Sequence, residues 1–244
     1  MRTDYPNLFL DDTVVDRYRD VVYAKGGYAA AISARQRAFM RELVAREFAA
    51  PPVHHDFACG TGRALLMLGD LVSDAHGYDV SPAMLRAARD AGSTAELHLV
   101  PVGGAPPAPA RTEGPALVTM FRLLLNAAPA VRDRALAFAA AALPTAESGL
   151  LVLENHGRSP SLRHLGARRR RGEAWFAELT DGEVGELLSR HGFRLVGRRG
   201  CALTSRGWYR RRALRRGARL LDDRLAHRLP SVATDVLYLA RRTA

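Results

Sequence analysis

Lysine is nearly missing from this chain of 244 residues: Lys25 is the only one, and arginine supplies the remaining permanent positive charge. Cysteine is almost as scarce. Cys59 and Cys201 lie far apart in sequence, which argues against a disulfide framework or a thiolate metal site and fits a reducing compartment. Long apolar runs are lacking too: the nine residues ALAFAAAAL are too few to span a bilayer. MRTDYPNLFLDD places two aspartates where a signal peptide needs an apolar core, so a cytoplasmic location is expected. There is no HExxH, paired CxxC or GxSxG, and the neighbours His54 and His55 point to opposite faces of a strand. No metal site is expected on these grounds.

What is present is ordinary for a globular domain, with 48% hydrophobic and 25% charged residues. The length suits one α/β domain with a full core, alone or with a small cap. The net charge of +11 is unevenly spread: Arg158 to Arg228 holds nineteen arginines against seven acidic residues. Such a stretch attracts polyanions, and equally it serves to solvate a helix face.

The first fifty residues read as helices, DTVVDRYRDVVYA and AAAISARQRAFMRELVAREF, broken at Gly26 and Gly27. Ile32, Phe39, Met40, Leu43 and Val44 supply a helical stripe, and Pro51 and Pro52 close the section. From there strands and helices alternate. VHHDFA precedes a helix from Arg63; AHGYDV precedes SPAMLRAARDAG, where Ser81 caps and Pro82 occupies the first turn. ELHLVPV, the loop GGAPPAPARTEG, ALVTMF, a helix from Val131 to Leu143 and GLLVLEN follow. TDGEVGELLSRHG, FRLVGRRG, an arginine-rich helix and TDVLYLARR complete the chain. This rhythm predicts an α/β fold, a mostly parallel sheet with helices on both faces. The expected organisation is an N-terminal helical cap over 1–50 and a single domain over 51–244. In the late helix Leu214, Ala218, Leu221 and Leu225 predict a core-facing stripe with the arginines outward.

DFACGTGR, residues 56–63, runs a strand directly into a glycine turn and a helix, placing backbone N–H groups beside the strand's C-terminal edge. Gly60 and Gly62 permit close approach because neither carries a Cβ. Asp79, ending the second strand, can accept both hydroxyls of a ribose, so the pattern points to a nucleoside-bearing cofactor. Leu65 stands where a dinucleotide fingerprint needs a small residue, and GxxxxGK[ST] is absent, which disfavours a pyrophosphate binder.

DFACGTGR followed by GYDVSPAML resembles the class I S-adenosylmethionine-dependent methyltransferase family, of the small-molecule type, whose first motif reads D/E-x-G-x-G-x-G. Here it is Asp56, Phe57, Ala58, Cys59, Gly60, Thr61 and Gly62, with Ala58 replacing the first glycine in a turn expected to be slightly wider. The resemblance implies a Rossmann-like sandwich with a seven-stranded, mostly parallel sheet and an N-terminal helical lid, with S-adenosyl-L-methionine as cofactor. The loop carrying Gly60 and Gly62 would underlie its methionine part, Asp79 would hold the ribose, and Val80, Ser81 and Met84 would flank adenine. The backbone at Val102 and Gly103 would meet the adenine edge, and Phe121 in MFRLLLNA would face the cofactor. Lid tyrosines are expected at the cofactor and substrate: Tyr18 at the former, Tyr23 at the latter, Tyr28 at the reacting centre.

Methyl transfer from a sulfonium is an in-line displacement, so orientation is the enzyme's main task and supplies up to about 7–11 kcal/mol. A base helps only where the acceptor must lose a proton. After the fifth strand, His156 is the expected base or substrate contact and Asn155 an orienting hydrogen bonder, against the plainer reading that they merely finish the strand. Arg122 would grip a substrate carboxylate or phosphate, or else tie down the loop at Asn126, itself placed on the substrate side. Trp175, with Phe176, would line the entrance, and 158–230 would contribute to a substrate cap. Three functions follow: methylation of a small molecule in specialised metabolism; cyclisation of the cofactor's aminocarboxypropyl group to azetidine-2-carboxylate, with release of methylthioadenosine; or RNA or DNA binding and modification through the arginine-rich region. The absence of Asn/Asp-Pro-Pro-Tyr/Phe at FRLLLN argues against nucleic-acid amino methylation. The expected partner is a small-molecule substrate, without a membrane, for a monomer or homodimer.

Overall fold

A computed structural model describes residues 27–105, 108–110, 114–156, 161 and 179–243. The first N-terminal helix, Tyr18, Tyr23, Trp175 and Phe176 lie outside the described residues. Seven strands form one sheet: β1 (Val53–Phe57), β2 (Asp74–Asp79), β3 (Glu96–Leu99), β4 (Ala116–Met120), β5 (Gly149–His156), β6 (Phe193–Ala202) and β7 (Asp235–Arg242). Their spatial order is β3-β2-β1-β4-β5-β7-β6. β1 to β5 pair in parallel, and β7 inserts antiparallel between β5 and β6.

The helices among the described residues are α1 (Tyr28–Glu47), α2 (Arg63–Leu68), α3 (Pro82–Asp90), α4 (Pro129–Ala142), α5 (Asp181–Arg190), α6 (Arg206–Arg210) and α7 (Arg212–Leu225). β4 and β5 are nearly continuous apolar runs because both their faces are covered. On one face α1 and α2 pack Ile32, Met40, Leu43 and Leu68 onto Leu117, Val152 and Leu237. On the other, Leu136 and Phe138 of α4 and Leu187 of α5 pack onto Val118, Met120, Leu151 and Leu153. The stripe expected on α1 is the buried one, with Gln36 set in its middle.

The stripe expected on α7 is not. Leu214 and Leu221 are 40% and 38% exposed, while Ala218 and Asp222 are buried. Asp222 accepts hydrogen bonds from the N–H groups of Leu203 and Thr204 and from the hydroxyls of Thr204 and Tyr209, all at 2.8–2.9 Å. Four buried donors can be satisfied only if that carboxylate faces inward, which turns the helix about a fifth of a turn away from its leucines. No described helix is long and apolar enough to cross a membrane.

Candidate functional site

The strand order reverses at β1 and β4, so their C-terminal ends border a crevice, the usual ligand position in open α/β sheets. At its centre the chain leaves β1 through Ala58, Gly60 and Gly62, all in the left-handed region at φ of 59°, 55° and 75°. Ala58, standing in place of the first glycine, takes up the left-handed conformation itself. The two glycines have different reasons. A Cβ on Gly62 would lie 3.1 Å from the Ala88 Cβ, so that position serves close packing of α3. A Cβ on Gly60 would meet only the Met84 sulfur at 4.0 Å, leaving its backbone open to a ligand.

The Asp79 carboxylate reaches this turn. It accepts the Gly60 N–H at 2.8 Å and the Ser81 N–H at 2.9 Å, one on each oxygen, and so fixes β2 to the glycine turn. Burial raises its pKa, opposed by the amides of Ser81, Gly60 and Val80. With three amides on it, the carboxylate still keeps acceptor capacity for a hydroxyl. Ser81 caps α3 as expected, its side chain accepting from Met84 N–H at 3.1 Å.

Under the turn, Thr119 donates to Asp56 at 2.6 Å and stands 2.8 Å from His54 Nε2. Because the hydroxyl proton goes to the carboxylate, His54 donates from Nε2. Burial pushes Asp56 up to about 7, against the Thr119 hydrogen bond and the charge of Arg63. Burial also drives His54 down to about 3.

The densest polar cluster was not singled out by the sequence reading. Arg63, the first residue of α2, donates to Glu154 Oε2 at 2.6 Å and to Gln36 Oε1 at 2.7 Å, and lies 5.1 Å from the centre of the Phe121 ring. Gln36 Nε2 in turn donates to Glu154 Oε1 at 2.9 Å and Asp235 Oδ1 at 3.1 Å. Gln36, Glu154 and Asp235 are all buried. Burial would raise the Glu154 pKa, but the charges of Arg63, Arg122 and His156 hold it below the usual range. Burial and the neighbouring Glu154 charge push the Asp235 pKa up. The Arg63 guanidinium is thus the direct charge partner of Glu154, and the two acids are pushed in opposite directions. The signal was in the sequence: a glutamate at the end of the apolar run GLLVLEN, a glutamine inside the α1 stripe, and an aspartate opening DVLYLA.

The remaining expected residues divide. Phe121 joins the site through Arg63. Asn155 lies on the opposite face of β5 from Glu154 and donates to the Leu179 carbonyl at 3.0 Å, anchoring chain rather than facing Arg63. His156 is half-buried at the end of β5, paired in register with Asp235. Arg122 has a left-handed backbone at φ 59°, and Asn126 donates to its carbonyl at 3.0 Å. It is thus the Asn126 side chain that ties this loop. Tyr28 packs edge-on against Tyr209, ring centres 5.2 Å apart. Val80 packs into the core, whereas Val102 is 60% exposed beside Gly103 at φ 75°, on the loop after β3. Cys59 and Cys201 are buried and free.

No protein-family model and no curated protein matches the sequence. Solved structures do. Magnesium protoporphyrin IX methyltransferase (ChlM) from Synechocystis PCC 6803, with bound S-adenosylhomocysteine, superposes with a TM-score of 0.64 at 14% identity over 98% of this chain and 97% of that one. The 1,6-didemethyltoxoflavin-N1-methyltransferase of Burkholderia thailandensis gives 0.58 at 17% identity, over 100% and 91%. The [4+2]-cyclase SpnF gives 0.52 at 17%, over 84% and 81%. The fold is that of the class I S-adenosylmethionine-dependent methyltransferases, with its seven-stranded sheet and an N-terminal helix packed on one face.

Proposed function

We propose that this chain is an S-adenosylmethionine-dependent methyltransferase acting on a small-molecule acceptor in specialised metabolism. The observation that carries the reading is the Gly60–Asp79 bond. It ties an open stretch of backbone to a carboxylate with acceptor capacity to spare, a fit for an amino-acid tail beside a ribose. Both similar methyltransferases named above support it, and both hold S-adenosylhomocysteine.

Asp79 would hold the ribose hydroxyls, and the turn at Gly60 would lie under the methionine part. When bound, the cofactor supplies a methyl group on a sulfonium. The chain's own task is to orient the acceptor behind it. Arg63 and Glu154, nearly closed to water, form a rigid floor with no net charge, and Gln36 and Arg63 keep the Glu154 carboxylate engaged. His156, half-buried at the end of β5, would take a proton from the acceptor where one must leave. Arg122, which acts on Glu154 from the end of β4, would hold an anionic group of the acceptor.

The test is thermal and chemical. S-adenosylhomocysteine at about 100 times its Kd should stabilise the protein by roughly 2.7 kcal/mol. The gain should vanish in Asp79→Ala; equal gains in both would refute the ribose assignment. Incubated alone, S-adenosylmethionine should stay intact, and release of methylthioadenosine would replace methyl transfer with cyclisation of the cofactor.

A further inference from the structure

The sequence expectation of no metal site rested on missing motifs, and motifs do not register ligands paired across strands. β2 and β3 run parallel with His76 opposite Glu96 and Tyr78 opposite His98. Residues two apart share a face, so His76, Glu96 and His98 converge on one side of the sheet edge. His76 Nδ1 lies 3.3 Å from His98 Nε2 and 3.4 Å from Glu96 Oε2, and His98 Nε2 lies 3.8 Å from Glu96 Oε1. A tetrahedral cation with ligand bonds of about 2.0–2.1 Å holds its donors about 3.3–3.4 Å apart. The two nitrogens stand at that spacing with a different Glu96 oxygen facing each, and one donor atom from each of the three residues lies within 4.8 Å of the others.

Proton accounting leaves the inward nitrogen of His76 free of its own proton. Asp74 Oδ2 is 3.1 Å from His76 Nε2 and can only accept, which places the ring proton there. In the neutral ring Nδ1 is then a lone pair, 3.3 Å from His98 Nε2, whose N–H can donate to it, and 3.4 Å from a Glu96 oxygen; a cation seated among them would engage both nitrogens and the carboxylate at once. A carboxylate holding the far nitrogen of a ligating histidine is the usual outer support of such a site. The rings are held in place. His55 stacks on His76 at 5.2 Å and 17°, and Tyr78 stacks on His98 at 4.6 Å and 14°. His55 turns its own Nδ1 to the Tyr78 hydroxyl at 3.3 Å and stands outside the ligand set. The His76 side chain is 5% exposed and that of Glu96 66%, so the site has a desolvated floor and an open approach for the ion and a water.

We propose that His76, Glu96 and His98 bind one divalent transition-metal ion of the zinc class, with Asp74 as the supporting carboxylate. Bound there, the ion clips the edge strand β3 to β2, three residues before Asp79. The site is independent of the proposed methyl transfer.

Untagged full-length protein, stripped with a chelator, should bind one equivalent of Zn²⁺ by calorimetry at neutral pH. Co²⁺ should give the intense visible bands of a four-coordinate site. Glu96→Gln, at an exposed position that packing does not need, and His98→Ala should each raise the Kd at least tenfold. Asp74→Asn should raise it about 10- to 100-fold, and His227→Ala should leave it unchanged. Folded parent protein that takes up no Zn²⁺ at millimolar concentration would overturn the proposal, since the cluster then holds only a proton. So would equal affinity in the parent, Glu96→Gln and His98→Ala. S-adenosylhomocysteine binding measured on the same samples reports separately on the cofactor reading.

Discussion

At the scale of single residues, the motif around Gly60 shows where side-chain identity and backbone conformation part company. Ala58 sits in the left-handed region, where an L-residue costs about 1–2 kcal/mol. Glycine there relieves that strain but adds about 0.4–1 kcal/mol of unfolded-chain entropy. Ala58→Gly should therefore stabilise the fold by roughly 0.5–1 kcal/mol, read as a higher urea midpoint with unchanged slope. Asp56 makes a second prediction. Its folded pKa is about 7 against an ordinary 3.8, so between those values the folded carboxyl keeps a proton that the unfolded chain has released. The folded state then binds more protons, and this group's contribution falls as pH rises through the window. Asp56→Asn cannot ionise, so its stability relative to the parent should climb by up to about 4 kcal/mol from pH 4 to pH 7 and then level off. A relative stability independent of pH would show that Asp56 is ionised in the fold.

At the scale of elements, what was legible depended on periodicity. The stripe of α1, the serine cap of α3 and the continuous apolar strands are one-dimensional patterns, and the structure has them where the sequence placed them. The Arg63–Glu154–Gln36 cluster joins α2, β5 and α1 across 118 positions, and no local pattern announces which polar residues will meet. The orientation of α7 failed for the same reason: its inward residue is a carboxylate serving donors on the loop after β6 and on α6. Two substitutions test these junctions. Glu154→Ala leaves the Arg63 guanidinium in a nearly dry site without its charge partner and should cost about 3–5 kcal/mol. Asp222→Ala strands the Leu203 and Thr204 amides and removes the ion pair with Arg35, and should cost at least as much. Glu154→Gln, which keeps the shape and part of the bonding, should cost less than Glu154→Ala; equal losses would mean that the charge alone matters.

At the scale of the whole molecule, the +11 net charge must be set against where the described arginines lie. Some are engaged: Arg35 with Asp223, Arg41 with Asp70, Arg198 with Asp181 and Arg241 with Glu47. Arg198 and Arg241 line a cleft of about 380 Å³ with Arg46, Arg199 and His227, beside the start of β5 and remote from Gly60. Others, including Arg210, Arg211, Arg212, Arg215 and Arg216, are exposed on and between α6 and α7. A surface of this kind binds phosphates through released counterions, whereas the crevice at Gly60 and Asp79 binds through hydrogen bonds and shape. The two should separate in salt. Affinity for single-stranded RNA with about five phosphate contacts should fall by roughly two orders of magnitude between 50 and 200 mM salt, while stabilisation by S-adenosylhomocysteine should change little. RNA affinity that survives the higher salt and depends on sequence would instead mark the arginine face as a recognition surface, and would make nucleic acid the acceptor to test first.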